Sequence, residues 1–145
     1  MTSRRILLVR HARAGDRERW RGDDRLRPLD SRGRLQAAAL PALLATEPLA
    51  RVVSSPYLRC VETVAPLAAL AGLRVEHDDR LGEDTGDAVF GLLRELADGS
   101  VICTHGDVVE TLVGVGQPKQ KGSTWVLEIG PGDRVDRVEY LPPPA

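Results

Sequence analysis

The sequence predicts an α/β architecture, a three-layer αβα sandwich on a mostly parallel sheet with an antiparallel hairpin at its C-terminal end. Three observations carry this. Short apolar or β-branched runs at 6–9, 51–54 and 100–103 are too brief for helices and read as buried strands. Helical patterns with their own start and stop signals lie between them, so strands and helices alternate. Finally, Gly130-Pro131-Gly132-Asp133 separates two alternating segments, 124–129 and 134–140, as a hairpin turn does.

Residues 5–9 form the first strand. Residues 13–30 are polar and arginine-rich, too long for a tight strand-to-helix turn, and read as a functional loop. Asp30-Ser31 caps a helix from Arg32 to about Thr46, with Leu35, Ala38, Ala39, Ala42 and Leu43 on one face. Pro41 is expected to kink or divide it. Arg51 to Ser54 is the second strand. Ser55-Pro56 reads as the start of a helix that bends at Pro66 and stops at Gly72. Leu73 to Glu76 is a third strand. After a charged loop, Asp87 caps a helix that turns Val89, Leu92, Leu93 and Leu96 inward and closes at Gly99. Ser100 to Cys103 is the fourth strand, and the next helix carries Val108, Val109, Leu112 and Val113.

The 145 residues suit one domain spanning 1–145, with 42% hydrophobic and 28% charged residues. A net charge of −1 excludes a general nucleic-acid surface. No apolar run approaches membrane-spanning length, and no leader pattern precedes the first strand, so a cytoplasmic chain is expected. Cys60 and Cys103 form neither a disulfide scaffold nor a zinc pattern and read as small buried hydrophobes. His77-Asp78-Asp79 offers no ligand geometry, and neither metal nor cofactor is expected. Lysine occurs only at Lys119 and Lys121, so cations near any site are mostly planar guanidinium forks, suited to phosphate.

The chemistry gathers at strand ends. Arg10 and His11 follow the first strand, and Thr104-His105-Gly106 follows the fourth. In a parallel sheet both histidines emerge at the carboxyl edge, where ligands of open α/β sheets bind. Arg59 lies one turn into the helix after the second strand and leans back over its N-terminus. Two histidines and two arginines at one place repel unless an anion lies among them. A phosphoryl group fits: Arg10 and Arg59 fork onto its oxygens, His105 adds a donor, and neutral His11 attacks phosphorus to form a phosphohistidine. The leaving group then needs a proton, which Glu83 or Asp84 can supply, Glu83 having the longer reach. Arg13 either extends the clamp or is solvated. Trp20 either stacks on a base or packs on its own domain, and Lys119 and Lys121 either reach a second phosphate or are solvated.

Four blocks in order, Val9-Arg10-His11-Ala12-Arg13, Pro28-Leu29-Asp30-Ser31-Arg32-Gly33, Ser54-Ser55-Pro56-Tyr57-Leu58-Arg59 and Thr104-His105-Gly106, resemble the histidine phosphatase superfamily with its phosphoglycerate-mutase-like fold. The short length resembles SixA-type phosphohistidine phosphatases. His11-Ala12-Arg13-Ala14-Gly15 with Trp20, together with Lys121-Gly122-Ser123-Thr124-Trp125, looks like the phosphatase domain behind a Nudix domain in actinobacterial MutT-like proteins. The resemblance implies that His11 is the phosphorylated nucleophile and that Arg10, Arg59 and His105 bind phosphate. It also implies a metal-independent reaction on a phosphorylated small molecule or phosphoprotein, with a nucleotide as the alternative. Alanine replaces the family's usual glycine at Ala12, which is tolerated where φ stays negative.

Overall fold

The computed structural model describes residues 3–144. Six strands form one sheet: β1 (Arg4–Arg10), β2 (Arg51–Ser54), β3 (Val75–His77), β4 (Ser100–Thr104), β5 (Thr124–Ile129) and β6 (Val135–Leu141), in the spatial order β3-β2-β4-β1-β5-β6. The pairs β1–β4, β2–β4 and β2–β3 are parallel, and β1–β5 and β5–β6 are antiparallel. The helices are α1 (Ser31–Leu43), α2 (Leu58–Ala71), α3 (Val89–Leu93) and α4 (Gly106–Val113).

Side chains alternate across a strand, so β1 serves two cores. Leu7 and Val9 join Val52, Val101 and Cys103 under α1 and α2, while Ile6 and Leu8 join Val53 and Ile102 under α3 and α4. Burial on both faces explains the unbroken apolar run at Ile6–Val9. Trp125, Leu127 and Ile129 of β5 extend the second core.

This layering positions the site. The chain leaves β1 towards α1 on one face and leaves β4 towards α4 on the other. Neighbouring strands whose connections part in this way open a crevice at their carboxyl ends, the usual ligand position. The register pairs Arg10 with Thr104, and the His11 amide donates to the Thr104 carbonyl at 3.0 Å, so His11 and His105 leave the sheet side by side.

Several elements differ from the sequence expectation. The buried residues of α1 are Gly33, Ala37 and Leu40, whereas Leu35 is 72% exposed. From Ala37 to Leu43 the segment is apolar on every face, so spacing alone could not choose one. The helix passes Pro41 and ends two residues later. Helix α2 begins at Leu58 rather than at Pro56, because Ser55 is buried and directed to His105. Strand β3 lies one to two residues later than expected, and Asp87 gives α3 no side-chain cap. Among the described residues, no helix is long and apolar enough to cross a membrane.

Candidate active site

A cavity of about 710 Å³ opens at the carboxyl ends of β1 and β4, and its wall includes Arg10, His11, Glu83 and His105. His11 is 5% exposed. Its Nδ1 lies 2.8 Å from the Ala12 carbonyl oxygen, which can only accept, so Nδ1 carries the proton and the lone pair is on Nε2. Burial above all, with His105, Arg59 and Arg10 adding to it, pushes the His11 pKa down to about 3 against the pull of the Ala12 hydrogen bond. The ring is therefore neutral at physiological pH, with the Nε2 lone pair free. Ala12 keeps a negative φ, and its amide donates to Thr63 Oγ1 at 2.9 Å.

His105 is held from behind. The Ser55 hydroxyl accepts from the Tyr57 amide at 3.2 Å and lies 2.9 Å from His105 Nε2. Where the hydroxyl gives its own proton to Nε2, the ring's N–H lies on Nδ1. That atom is buried and has no protein hydrogen-bond partner. It is open to a ligand atom, with Glu83 Oε1 at 3.9 Å. Tyr57 packs edge-on against the ring at 4.5 Å between centroids.

Arg10 donates through Nη1 to the Lys119 carbonyl at 2.6 Å, and its Nε has no partner. Its guanidinium lies flat on Gly106, where a Cβ would approach Nη2 to 2.8 Å. This close approach is why glycine follows His105. Arg59 is fully buried and sits beneath the cavity rather than in its wall. Its Nη1 donates to the Asp24 carbonyl at 2.9 Å, and its Nη2 lies 3.2 Å from Asp24 Oδ2 and 2.5 Å from Glu83 Oε1. Two carboxylates thus occupy the guanidinium edge that an oxyanion would take. Arg59 does not pair with Glu62, which instead accepts from the Leu29 amide.

Of the two candidate acids, Glu83 contacts Arg59 and Arg17 and lies near His105, whereas Asp84 reaches the wall with its amide bound by Asp107. Arg13 lines the cavity with its Nε 3.3 Å from Asp30 Oδ2. Lys121 also lines it, and burial, then the charges of Arg10, Arg27, Arg13 and Arg17, lower its pKa. Trp20 lies outside this cavity, in a neighbouring one. Sequence reasoning overlooked Arg27, which lines the cavity with a side chain 6% exposed, and Asp24, which ties Arg27 to Arg59. The only available signal was Asp24 and Arg27 three residues apart beside a proline. Cys60 and Cys103 are buried and unpaired, Cys60 Sγ lying 3.6 Å from His105 Nε2.

A model of the histidine phosphatase superfamily (branch 1) matches residues 6–95. The 8-oxo-(d)GTP phosphatase of Mycolicibacterium smegmatis is 37% identical over 156 aligned positions, covering 96% of this chain and 48% of that protein. The chain therefore spans about half the length of this curated relative. A protein assigned to SixA from Nakamurella multipartitia superposes with a TM-score of 0.82 at 21% identity, over 100% of this chain and 99% of that one. The protein histidine phosphatase SixA complexed with tungstate gives 0.72 at 19% identity, over 94% and 96%. A mycobacterial glucosyl-3-phosphoglycerate phosphatase gives 0.73 at 19% identity, over 94% and 97%. At these identities the structural likeness speaks for the fold, the phosphoglycerate-mutase-like architecture that the four sequence blocks imply.

Proposed function

The chain belongs to the histidine phosphatase superfamily, and from that premise we propose that it hydrolyses a phosphomonoester or a phosphoramidate such as phosphohistidine through a covalent phosphohistidine on His11. The observation that carries this is the fixed, neutral His11 ring beside two arginines and a histidine whose buried Nδ1 has no protein partner.

In the first step the Nε2 lone pair of His11 attacks phosphorus in line, an N–P bond forms, and the bond to the leaving atom breaks. Arg10, Arg59 and the Nδ1–H of His105 receive the non-bridging oxygens as charge develops on them. The incoming phosphoryl group displaces Glu83 from Arg59 Nη2 and meets the unpartnered Arg59 Nε, while Asp24 keeps its hold on the guanidinium. Glu83, so released, takes up the proton that a monoanionic substrate phosphate brings in and hands it to the leaving oxygen, or to the leaving nitrogen of a phosphoramidate. In the second step the Glu83 carboxylate takes a proton from water, the water oxygen attacks phosphorus, and the N–P bond breaks to return neutral His11 and inorganic phosphate. No step calls on a metal.

A nucleotide substrate is the second reading. It is favoured by the name of the relative from Mycolicibacterium smegmatis and by a cavity larger than one phosphoryl group needs. The competing class is a phosphate-binding module without turnover. The deciding experiment is hydrolysis of p-nitrophenyl phosphate with EDTA present, in wild type and His11→Ala. Activity in wild type, lost in the variant, with acid-labile and base-stable label on His11, is the expected result. Phosphate binding without turnover on a broad panel establishes the module instead.

A further inference from the structure

A second compartment of about 290 Å³ adjoins the catalytic cavity. Trp20, Pro28 and Leu29 supply its apolar lining, and it shares Gly15, Asp16, Arg27 and Asp30 with the cavity that contains His11. Trp20 stays 38% exposed, an unusual placement for a tryptophan that could pack inward. Its ring is nevertheless fixed. The indole N–H donates to the Asp23 carbonyl at 3.0 Å, and the Trp20 amide donates to the Asp16 carbonyl at 3.1 Å. An Ala14–Leu29 bridge pins the two ends of the loop together. The result is a preorganised flat platform at the end of a polar cavity, as ring-binding sites require.

Between the platform and His11 stands Arg27. Its Nε donates to Asp24 at 2.9 Å and its Nη1 to the Gly15 carbonyl, which leaves the outer Nη2 for a ligand. Lys121 faces the same space among Arg10, Arg13 and Arg17. Arg27 and Lys121 are additional to Arg10, Arg59 and His105, which would hold the group that His11 attacks. One phosphoryl group has roughly the bulk of a few water molecules at about 30 Å³ each, so it leaves most of the 710 Å³ unfilled. A ring attached directly to the transferred phosphate would set nothing anionic against Arg27.

Resting on the phosphatase reading above, we infer that the Trp20 compartment is the leaving-group subsite and that it takes the ring of a nucleoside di- or triphosphate. The transferred terminal phosphate lies at His11, the adjoining phosphate against Arg27 and Lys121, and the base on Trp20. His11 takes the terminal phosphoryl group as the anhydride bond breaks and the shortened nucleotide leaves. Water then hydrolyses the phosphohistidine, so a diphosphate gives the monophosphate and inorganic phosphate with no oxidant or further co-substrate.

The test is phosphate release, with EDTA present, from guanosine 5′-diphosphate, pyrophosphate, p-nitrophenyl phosphate and a phosphohistidine peptide. The diphosphate is expected to have the highest kcat/KM. Trp20→Ala should raise its KM about tenfold while leaving pyrophosphate unchanged, and Trp20→Phe should restore most of the loss. Lys121→Met should raise KM for both diphosphate and pyrophosphate. Binding is read separately in a His11→Ala, Trp125→Phe protein, in which Trp20 is the sole tryptophan and its fluorescence should be quenched by guanosine 5′-diphosphate. An unchanged diphosphate KM in Trp20→Ala, or a phosphohistidine peptide preferred over the nucleotide, overturns the inference while p-nitrophenyl phosphate turnover keeps the phosphatase reading. Quenching without turnover of any ester does the reverse: it upholds the subsite and removes the enzyme.

Discussion

Asp24 holds Arg59 by two separate acceptors, its backbone carbonyl at 2.9 Å and its Oδ2 at 3.2 Å. The same carboxylate accepts from Arg27 through Oδ1 at 2.9 Å. Burial raises the Asp24 pKa, but the Arg27 hydrogen bond and the Arg59 charge outweigh it and the net shift is downward. Asp24 therefore sets the orientation of the buried Arg59 guanidinium, the proposed phosphate ligand, from a loop that otherwise faces solvent. Asp24→Ala removes one of the two acceptors and leaves the carbonyl. The expected result is a KM for p-nitrophenyl phosphate raised about tenfold and a stability loss of about 1–2 kcal/mol, with Asp24→Asn intermediate. Steady-state kinetics and urea unfolding measure both. Lower stability with an unchanged KM would reduce Asp24 to a loop anchor.

Two glycines make opposite predictions. A Cβ at Gly33 would lie 1.8 Å from the Arg13 carbonyl oxygen, a backbone atom that cannot swing away. Gly33→Ala should therefore cost roughly 2–4 kcal/mol, read as a fall in the urea midpoint. A Cβ at Gly106 would meet first the Arg10 guanidinium, at 2.8 Å, the end of a flexible side chain. Gly106→Ala should leave the unfolding midpoint nearly unchanged while raising KM for every phosphate substrate, because Arg10 must move off its seat. A Gly106→Ala protein with wild-type KM would mean that Arg10 does not touch substrate.

The contrast between β1 and α1 shows what the chain reveals before folding. Ile6–Val9 is apolar without a break because both of its faces are covered, so it could be nothing but a buried strand, and Arg10 and His11 are carried to the sheet edge with it. The same reasoning placed His105 after β4. In α1 the buried residues include Ala37 and Leu40, yet Leu35, Ala38, Ala39 and Leu43 offered an equally apolar alternative, and only contact with α2 decides between them. Ser55 misled in another way: it has the chemistry of a helix cap, but its hydroxyl serves His105. Arg27 and Asp24 were hidden because their role depends on how a long loop folds back, which neither strand ends nor periodicity encode.

The buried neutral state of His11 has a stability signature. The free imidazole titrates at 6.5, whereas His11 in the fold titrates at about 3. Between these values the unfolded chain binds a proton that the folded chain refuses, so the free energy of unfolding falls as pH falls, by at most about 1.4 kcal/mol per unit. The carboxylates with lowered pKa, such as Asp24, Glu76 and Asp78, have the same sign but act below their unfolded values of 3.8 to 4.5. Urea unfolding between about pH 5 and 6.5 isolates the histidine contribution. His11→Asn should flatten the slope in that window, and an identical slope in both proteins would mean that His11 is protonated in the fold.

Glu83, the proposed proton donor, lines the cavity and has the partners of a structural carboxylate: Arg59 at 2.5 Å and Arg17 at 3.1 Å. Leaving-group dependence separates the two roles. p-Nitrophenolate departs without a proton, whereas an alkoxide does not. Glu83→Gln keeps the size and a hydrogen-bonding oxygen but cannot transfer a proton. It should slow an alkyl phosphate about a hundredfold or more while leaving the first step on p-nitrophenyl phosphate within about tenfold. The burst of p-nitrophenolate in a rapid-mixing experiment measures that first step directly, before water activation limits turnover. If Glu83→Gln slows both substrates equally in the burst phase, Glu83 only orients Arg59, and Asp84 or Asp107, both in the cavity wall, becomes the donor to test.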